Sequence, residues 1–588
     1  MNKKRWKMDV IYILLLLFLN PVIFLMHKRF EFIFPDAIAY ITMGTELLTE
    51  WVLYLQQWGH VDNGLILPPL YPFLVGMGSL FLDDGLIVAE LVSSVCIILS
   101  IIPLFFYISR LANREIALVT ILLIQLNYYY LYFGTLALTE ATFILTLSVG
   151  LWLAQKSFCT LTVEKFTAIL LGLVAALIFF SRQIGLIFII VIIAMWAVRS
   201  LTGKIQQRRK SQATTLYIIL GFSLLVVPYG IVLYSQTGQS ILTQHFRMGG
   251  YVVTQSQATQ VILQQITTNN PDLFKKLEID QTTIATLSKQ PLSTGKDDYE
   301  DIYIQRRSMR ELLPDSSEMH GNVIKESQEK YGLAEKLWEK MITQPGIIVT
   351  NLIINFRHLE GPLGLMLPYI FLLTVISAIS LKVESRNLYA RRLLPLFIVI
   401  YLIFISLFTG VVERYMHVIF AFILAHVMIE AYLLVDRLLL VNMTRKLRVL
   451  GILLLFSTTL LSMPRLFTSA VAKPKVGERA NLLGDCSQFV DNAKEPVFSL
   501  HPIYAYLVGG RFRTLPNDSL EKVAQYADKT GVRWLITTGS MEQIYYSKAN
   551  WLKNKNLENQ YPELVTLRCQ AEDKLVYLYE FKMSKENR

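Results

Sequence analysis

The sequence predicts a polytopic α-helical membrane protein that ends in a small soluble α/β domain. Three observations predict it. Mean hydropathy is +0.43, with 53% hydrophobic and 17% charged residues in a chain of 588. Apolar runs long enough to cross a bilayer (about 20 residues each) recur from residue 8 to residue 463. Basic residues gather on alternate connections, as they do when Lys- and Arg-rich loops stay in the cytoplasm. That sidedness explains the net charge of +11 without nucleic acid as a partner.

The runs give about 11 transmembrane helices, near 8–27, 86–108, 115–132, 138–155, 166–181, 183–199, 214–234, 363–381, 393–410, 415–436 and 447–463. The first run follows Met1-Asn2-Lys3-Lys4-Arg5-Trp6-Lys7 and leads into His27-Lys28-Arg29 rather than a small-residue cleavage site, so it reads as a retained signal anchor. With a cytoplasmic N-terminus every inner loop is basic: Arg110 and Arg114, Lys156 and Lys165, then 199–210, 382–392 and 437–448. The short outer connections hold little charge beyond Asp83, Asp84, Arg182, Glu413 and Arg414. The break at Ser181-Arg182-Gln183 divides 166–199 into two crossings, the even number that keeps the later loops inside.

Three outer regions are too long to be connectors: 28–85, 235–362 and 464–588. Residues 1–463 thus form a transmembrane domain with two large outer loops, and 464–588 an extracytoplasmic domain. In the first loop, Glu46 to Leu55 reads as an amphipathic helix lying on the surface. The prolines of Leu67-Pro68-Pro69-Leu70-Tyr71-Pro72 predict an extended entry to an apolar stretch of about ten residues, too short for a span and so re-entrant or interfacial. The second loop is Gln- and Thr-rich, with helical patterns near 256–268 and 322–342.

In the last region, 496–500, 533–538 and 575–581 read as strands. Ser519 to Lys529 reads as a helix, capped by Asp518 or Ser519 and closed by Gly531. The β-α-β order predicts a parallel sheet. Cys486 and Cys569 both fall here, either as a disulfide in an oxidising compartment or as two free thiols. The chain has no CxxC, HExxH or phosphate-binding loop, which removes the residues that zinc-hydrolase and ATPase readings require.

Charges at or within membrane spans are costly and mark function or pairing. Asp36, Glu140, Arg182 and Arg414 all fall at the outer face on this topology. Two carboxylates and two guanidiniums at one depth suit an anionic lipid substrate and a proton acceptor, since guanidinium binds phosphate oxygens bidentately and carboxylate deprotonates a hydroxyl. Each has a structural alternative. Asp36 could cap a helix, Glu140 could answer a helix dipole, Arg182 could reach out to headgroups, and Arg414 could pair with Glu413. Tyr71 and Tyr415 are candidate substrate contacts or ordinary interfacial aromatics. His245, His320 and His358, with Glu318 and Glu360 nearby, lack i,i+4 spacing and read as solvated rather than metal-binding.

These residues resemble, in order and sidedness, the GT-C membrane glycosyltransferases of the protein O-mannosyltransferase and lipid A aminoarabinose transferase group. The resemblance rests on Asp36 with Tyr40, Pro68-Pro69-Leu70-Tyr71-Pro72, Thr139-Glu140, Ser181-Arg182-Gln183-Ile184-Gly185 and Arg414-Tyr415. It implies a polyprenyl-phosphate sugar donor and a glycan, lipid or protein acceptor. It implies Asp36 as catalytic base, Glu140 as a second active-site acid, and Arg182 and Arg414 beside the donor phosphate. Some members use a divalent metal, for which the sequence offers no convincing ligand set. Leu67 stands where many members have histidine, and Ala37 follows Asp36 where protein mannosyltransferases pair Asp with Glu, which argues against protein mannosylation. A lipid-linked sugar transporter or flippase and a polysaccharide polymerase or ligase are the alternative functions. The chain shows neither the repeated halves nor the interrupted mid-membrane helices of a transporter. The expected location is the plasma membrane, with the basic loops putting the N-terminus inside and the C-terminal domain outside.

Overall fold

The structure, a computed structural model, describes residues 10–18, 35–53, 67–82, 84–125, 130, 134, 136–159, 164–202, 205–237, 388–408, 413–438, 484–490, 495–499, 502–516, 518–538, 550–553, 557–570 and 576–582. The spans expected at 363–381 and 447–463, almost all of the 235–362 loop, and the three outer-loop histidines lie outside the described residues.

Four helices among the described residues are long and apolar enough to cross a membrane: Gly85–Leu111, Glu140–Cys159, Gln183–Thr202 and Arg208–Thr237. Their packing shows what surrounds them. Along Gly85–Leu111, the exposed side chains Ile87, Leu91, Val95 and Leu99 repeat every four residues, one apolar stripe turned outward. The opposite face, including Ile97, Ile101, Leu104 and Ile108, is buried in the main core. Only 17% of the apolar window of Arg208–Thr237 is buried, and its outward Leu216, Leu220, Leu224 and Ile231 belong in hydrocarbon. This is a membrane protein.

The helices of the first part of the chain are α1 (Pro35–Glu50), α2 (Leu70–Ser79), α3 (Gly85–Leu111), α4 (Arg114–Gln125), α5 (Glu140–Cys159), α6 (Lys165–Ser181), α7 (Leu186–Thr202) and α8 (Ile205–Thr237). Farther along come α9 (Leu388–Phe408) and α10 (Glu413–Leu438). Asp84 caps α3, accepting from Leu86 N at 2.9 Å and Ile87 N at 3.1 Å. Between α6 and α7 the chain breaks at Arg182, which is extended, and Gly185 follows against the Ile178 carbonyl where a Cβ would not fit. Glycines also bring α6 and α8 into backbone contact, Gly172 against Ile218 and Gly221 against Ile169.

The first outer loop departs from the surface-helix expectation. The helix runs from Pro35 to Glu50, not from Glu46 to Leu55, and Ala37 to Ile41 are buried. Neighbouring protein on several sides, not lipid on one, fixes its faces, so an amphipathic reading of 46–55 misplaces it. The proline segment departs too: Pro69 is already helical in backbone, and Pro72 sits in the first turn of α2, where a missing N–H costs nothing. α1 ends at Trp51, a non-glycine residue with φ 55°. Gln236, from the end of α8, clasps that turn, accepting from Leu53 N at 3.0 Å and donating to Trp51 O at 2.9 Å.

α1 lies on α2 through two glycines. A Cβ on Gly44 would strike the Pro72 carbonyl, and one on Gly76 would strike the Gly44 carbonyl. Backbone cannot rotate away as a side chain can. Gly76→Val is therefore expected to push α1 off α2 and destabilise the protein by about 1–3 kcal/mol or more, read as a lower thermal midpoint of the purified protein. An unchanged midpoint would mean that the two helices do not make this contact.

Near the C-terminus, five strands form one sheet in the order β2-β1-β3-β5-β4. They are β1 (Pro496–Ser499), β2 (Arg511–Thr514), β3 (Trp534–Thr538), β4 (Val565–Gln570) and β5 (Val576–Phe581). β1 runs parallel to β2 and β3, but β5 is antiparallel to both β3 and β4. The sheet is mixed, not parallel, because a short return suffices between β4 and β5 and antiparallel neighbours need no crossover helix. β2 and β4 were not anticipated: four residues, Arg511-Phe512-Arg513-Thr514, and a strand with charged and polar side chains give weak sequence signals. α11 (Pro502–Leu507) and α12 (Leu520–Thr530) cover the sheet. Ser519 is the N-cap residue of α12, with no side-chain cap bond, and Gly531 ends it in the left-handed region at φ 67°.

Cys486 and Cys569 form a disulfide. It closes a loop 83 residues apart in sequence, for which the chain-entropy account gives about 4.5 kcal/mol. Cys486→Ser is expected to lower the unfolding free energy of this region, read from denaturant titration, by an amount of that order, with Cys569→Ser giving the same loss and the double variant no more. Additive losses in the double variant would mean the two sulfurs are not bonded.

Candidate active site

Asp36 lies in the first turn of α1, half-buried, where negative charge is favourable. Four residues on, Tyr40 is buried and meets Tyr71 of α2 edge to face, ring centroids 5.4 Å apart. Tyr71 is fully buried. Its hydroxyl donates to Ala89 O at 2.8 Å and shares a hydrogen bond with Ser93 at 2.9 Å. Ser93 in turn donates to Leu138 O at 3.3 Å. A chain of contacts thus runs from the Asp36 helix, through α2 and α3, to the short segment 136–138 that leads into Glu140. Tyr71 is placed as a strut within this chain, buried and with its hydroxyl hydrogen-bonded.

Glu140 opens α5 and is fully buried. Its Oε1 is 2.7 Å from Arg182 Nη1. The pair has a local cause: Glu140 sits at the positive end of α5 and Arg182 just past the carbonyl end of α6, so each charge complements its own helix terminus. Arg182 is 7% exposed and turns inward to Glu140; it does not run out to the headgroups. A buried ion pair of this kind is costly to break, since the survivor would be a lone charge in low dielectric.

Among the sequence-predicted positions the structure pairs Glu140 with Arg182. The helix that carries Asp36 and the lead-in to Glu140 share one core, in which Ala37, Ile38 and Ile41 pack with Tyr71, Val88, Leu136 and Leu138. Arg414 and Tyr415 begin α10, but their side chains lie outside the described residues. Ser93 is not legible in the sequence as part of this chain, because one serine in an apolar span carries no motif; its polarity within a membrane helix is the available signal. Among the described residues no group of three or more His, Cys, Asp or Glu could hold a metal ion.

The comparisons with known proteins bear on the fold. No family model matches the sequence, and no curated protein matches it. Solved structures do. The oligosaccharyltransferase AglB from Archaeoglobus fulgidus, in complex with an inhibitory peptide and a dolichol-phosphate, matches with TM-score 0.53 and 11% identity, over 100% of this chain and 75% of that one. The same archaeal enzyme tethered to an acceptor peptide matches with TM-score 0.52 and 10% identity, over 100% and 75%. ArnT from Cupriavidus metallidurans, bound to undecaprenyl phosphate, gives TM-score 0.48 and 9% identity, over 99% and 98%. At these identities the likeness to the oligosaccharyltransferase is one of fold alone.

Proposed function

We propose that the protein is an integral-membrane glycosyltransferase of GT-C type. It transfers a sugar from a polyprenyl-phosphate-linked donor to an extracytoplasmic acceptor: a lipid, a glycan or a protein. The observation that carries this reading is the shared core joining the Asp36 helix to the start of the Glu140 helix, within a fold found in an oligosaccharyltransferase crystallised with a dolichol-phosphate.

In the proposed step, the acceptor hydroxyl gives its proton to the Asp36 carboxylate as its oxygen attacks the anomeric carbon. The bond from that carbon to the phosphate oxygen breaks, its electron pair stays on the phosphate, and the anomeric configuration inverts. Arg182, and Arg414 at the start of α10, would stabilise the charge that develops on the leaving phosphate. Glu140 would aim the Arg182 guanidinium. The protein would lie in the plasma membrane with its N-terminus inside and residues 464–588 as an outer domain; the Cys486–Cys569 disulfide favours that oxidising side.

Membranes carrying the chain, supplied with a panel of radiolabelled polyprenyl-phosphate sugars, test the reading. Label leaving the lipid for a new glycosidic product supports it. Label crossing the bilayer with its lipid intact would favour a transporter or flippase instead. Growth of label into long repeats would favour a polymerase.

A further inference from the structure

The C-terminal sheet is docked on the helix that carries Asp36. Val497, Val508, Phe512, Trp534, Ile536 and Leu578 share one buried core with Ala37 to Ile41 and Met43. Beside that apolar contact stands one ionic contact, Glu46 of α1 with Arg511 of β2. Glu46 is buried, whereas the Arg511 side chain is about one-third exposed, at 36%. Among the described residues the other carboxylate oxygen of Glu46 has no hydrogen-bond partner, which leaves Arg511 as the group that compensates its charge.

We infer that Arg511 is a positioning residue: through Glu46 it fixes α1 against the sheet and so sets where the Asp36 carboxylate stands. The physical chain is short. A buried carboxylate is stable in place only while its partner is there. Burial pushes the Glu46 carboxyl above the ordinary carboxylate range and the charge of Glu50 adds to that, while Arg511 opposes it. Asp36 and Glu46 are ten positions apart on one continuous helix, about 15 Å along its axis. A helix of that length moves as a rod, so a shift at Glu46 reaches Asp36. Displacing a reacting group by about 1 Å is enough to cost about 10²-fold in rate. The backbone on the sheet side is set firmly: Arg511 N donates to Glu495 O at 2.7 Å, and Trp534 Nε1 donates to Glu495 Oε2 at 2.6 Å.

The catalytic half of this inference rests on the glycosyltransferase reading, so its test reads two quantities. In the purified full chain, amide hydrogen exchange over residues 35–50 reports the hold on α1 whatever the reaction is. Sugar transfer reports the consequence. Arg511→Ala and Glu46→Gln are each expected to speed exchange over 35–50 and to lower kcat by about 10–10²-fold, with KM for the donor little changed. The double variant should be no worse than either single one, because one lost contact cannot be lost twice. Arg511→Lys, which keeps the charge, should recover most of both. Native exchange over 35–50 in Arg511→Ala would overturn the inference. So would faster exchange with native kcat, or a double variant whose losses add. If the native chain transfers no sugar, the function reading fails, while the exchange measurement still decides whether Arg511 holds α1.

Discussion

Asp36→Asn is expected to lower sugar transfer by about 10²–10⁴-fold, the range for loss of a positioned general base, with the amount of folded protein unchanged. The substitution is informative because of where the residue lies. Asp36 is half-buried in the first turn of α1, so its plain structural role would be to favour the helix start. Asparagine gives up only the interaction of the charge with the helix dipole, about 0.3–1 kcal/mol, and it is close to isosteric. A capping aspartate would therefore lose little on this change, whereas a base would lose its proton acceptor entirely. Asp36→Ala removes both roles and cannot separate them. The measurement is kcat at saturating donor, compared at matched quantities of protein with native thermal midpoints. Turnover near the native value in Asp36→Asn would remove the residue from the reaction.

Arg182→Ala is expected to destabilise the protein by about 3–5 kcal/mol, because it strands the Glu140 carboxylate in the protein interior. Glu140→Ala should cost a similar amount by stranding the guanidinium. The double change Glu140→Gln with Arg182→Met removes both charges, and is expected to recover much of the thermal midpoint that either alanine variant loses. It should not recover transfer, since the proposed phosphate contact is gone. The comparison separates two uses of one pair: stability follows charge balance, and turnover follows the presence of Arg182. Single alanine variants with native midpoints would mean that water or lipid headgroups reach the pair and that it is not the buried contact described here.

Much of the frame was legible because the bilayer imposes simple rules. The starts and ends of α3, α5, α6 and α7 fall within a few residues of the expected spans, since apolar length and flanking charge fix them. The break at Arg182 was legible for the same reason, as a charged residue between two apolar runs. What escaped reading depended on partners remote in the chain. α1 was misplaced because its burial comes from α2, α3 and the C-terminal sheet together, and an amphipathic pattern presumes one apolar side. The Glu46–Arg511 contact joins residues from opposite ends of the sequence, with no local signal at either. The pairing of Glu140 with Arg182 was open in the same way: each charge was expected at the outer face, but only the fold brings α5 and the α6–α7 turn together. The antiparallel return of β5 was missed because β4, which it pairs with, has little of a strand's alternating pattern.

The measurement that bears most directly on the whole account is release of polyprenyl phosphate by the purified native protein given a polyprenyl-phosphate sugar and a membrane acceptor fraction. The account predicts release in step with formation of a glycosidic product of inverted anomeric configuration. Release without a sugar-bearing product, retained configuration, or an intact donor after prolonged incubation with folded protein would contradict it.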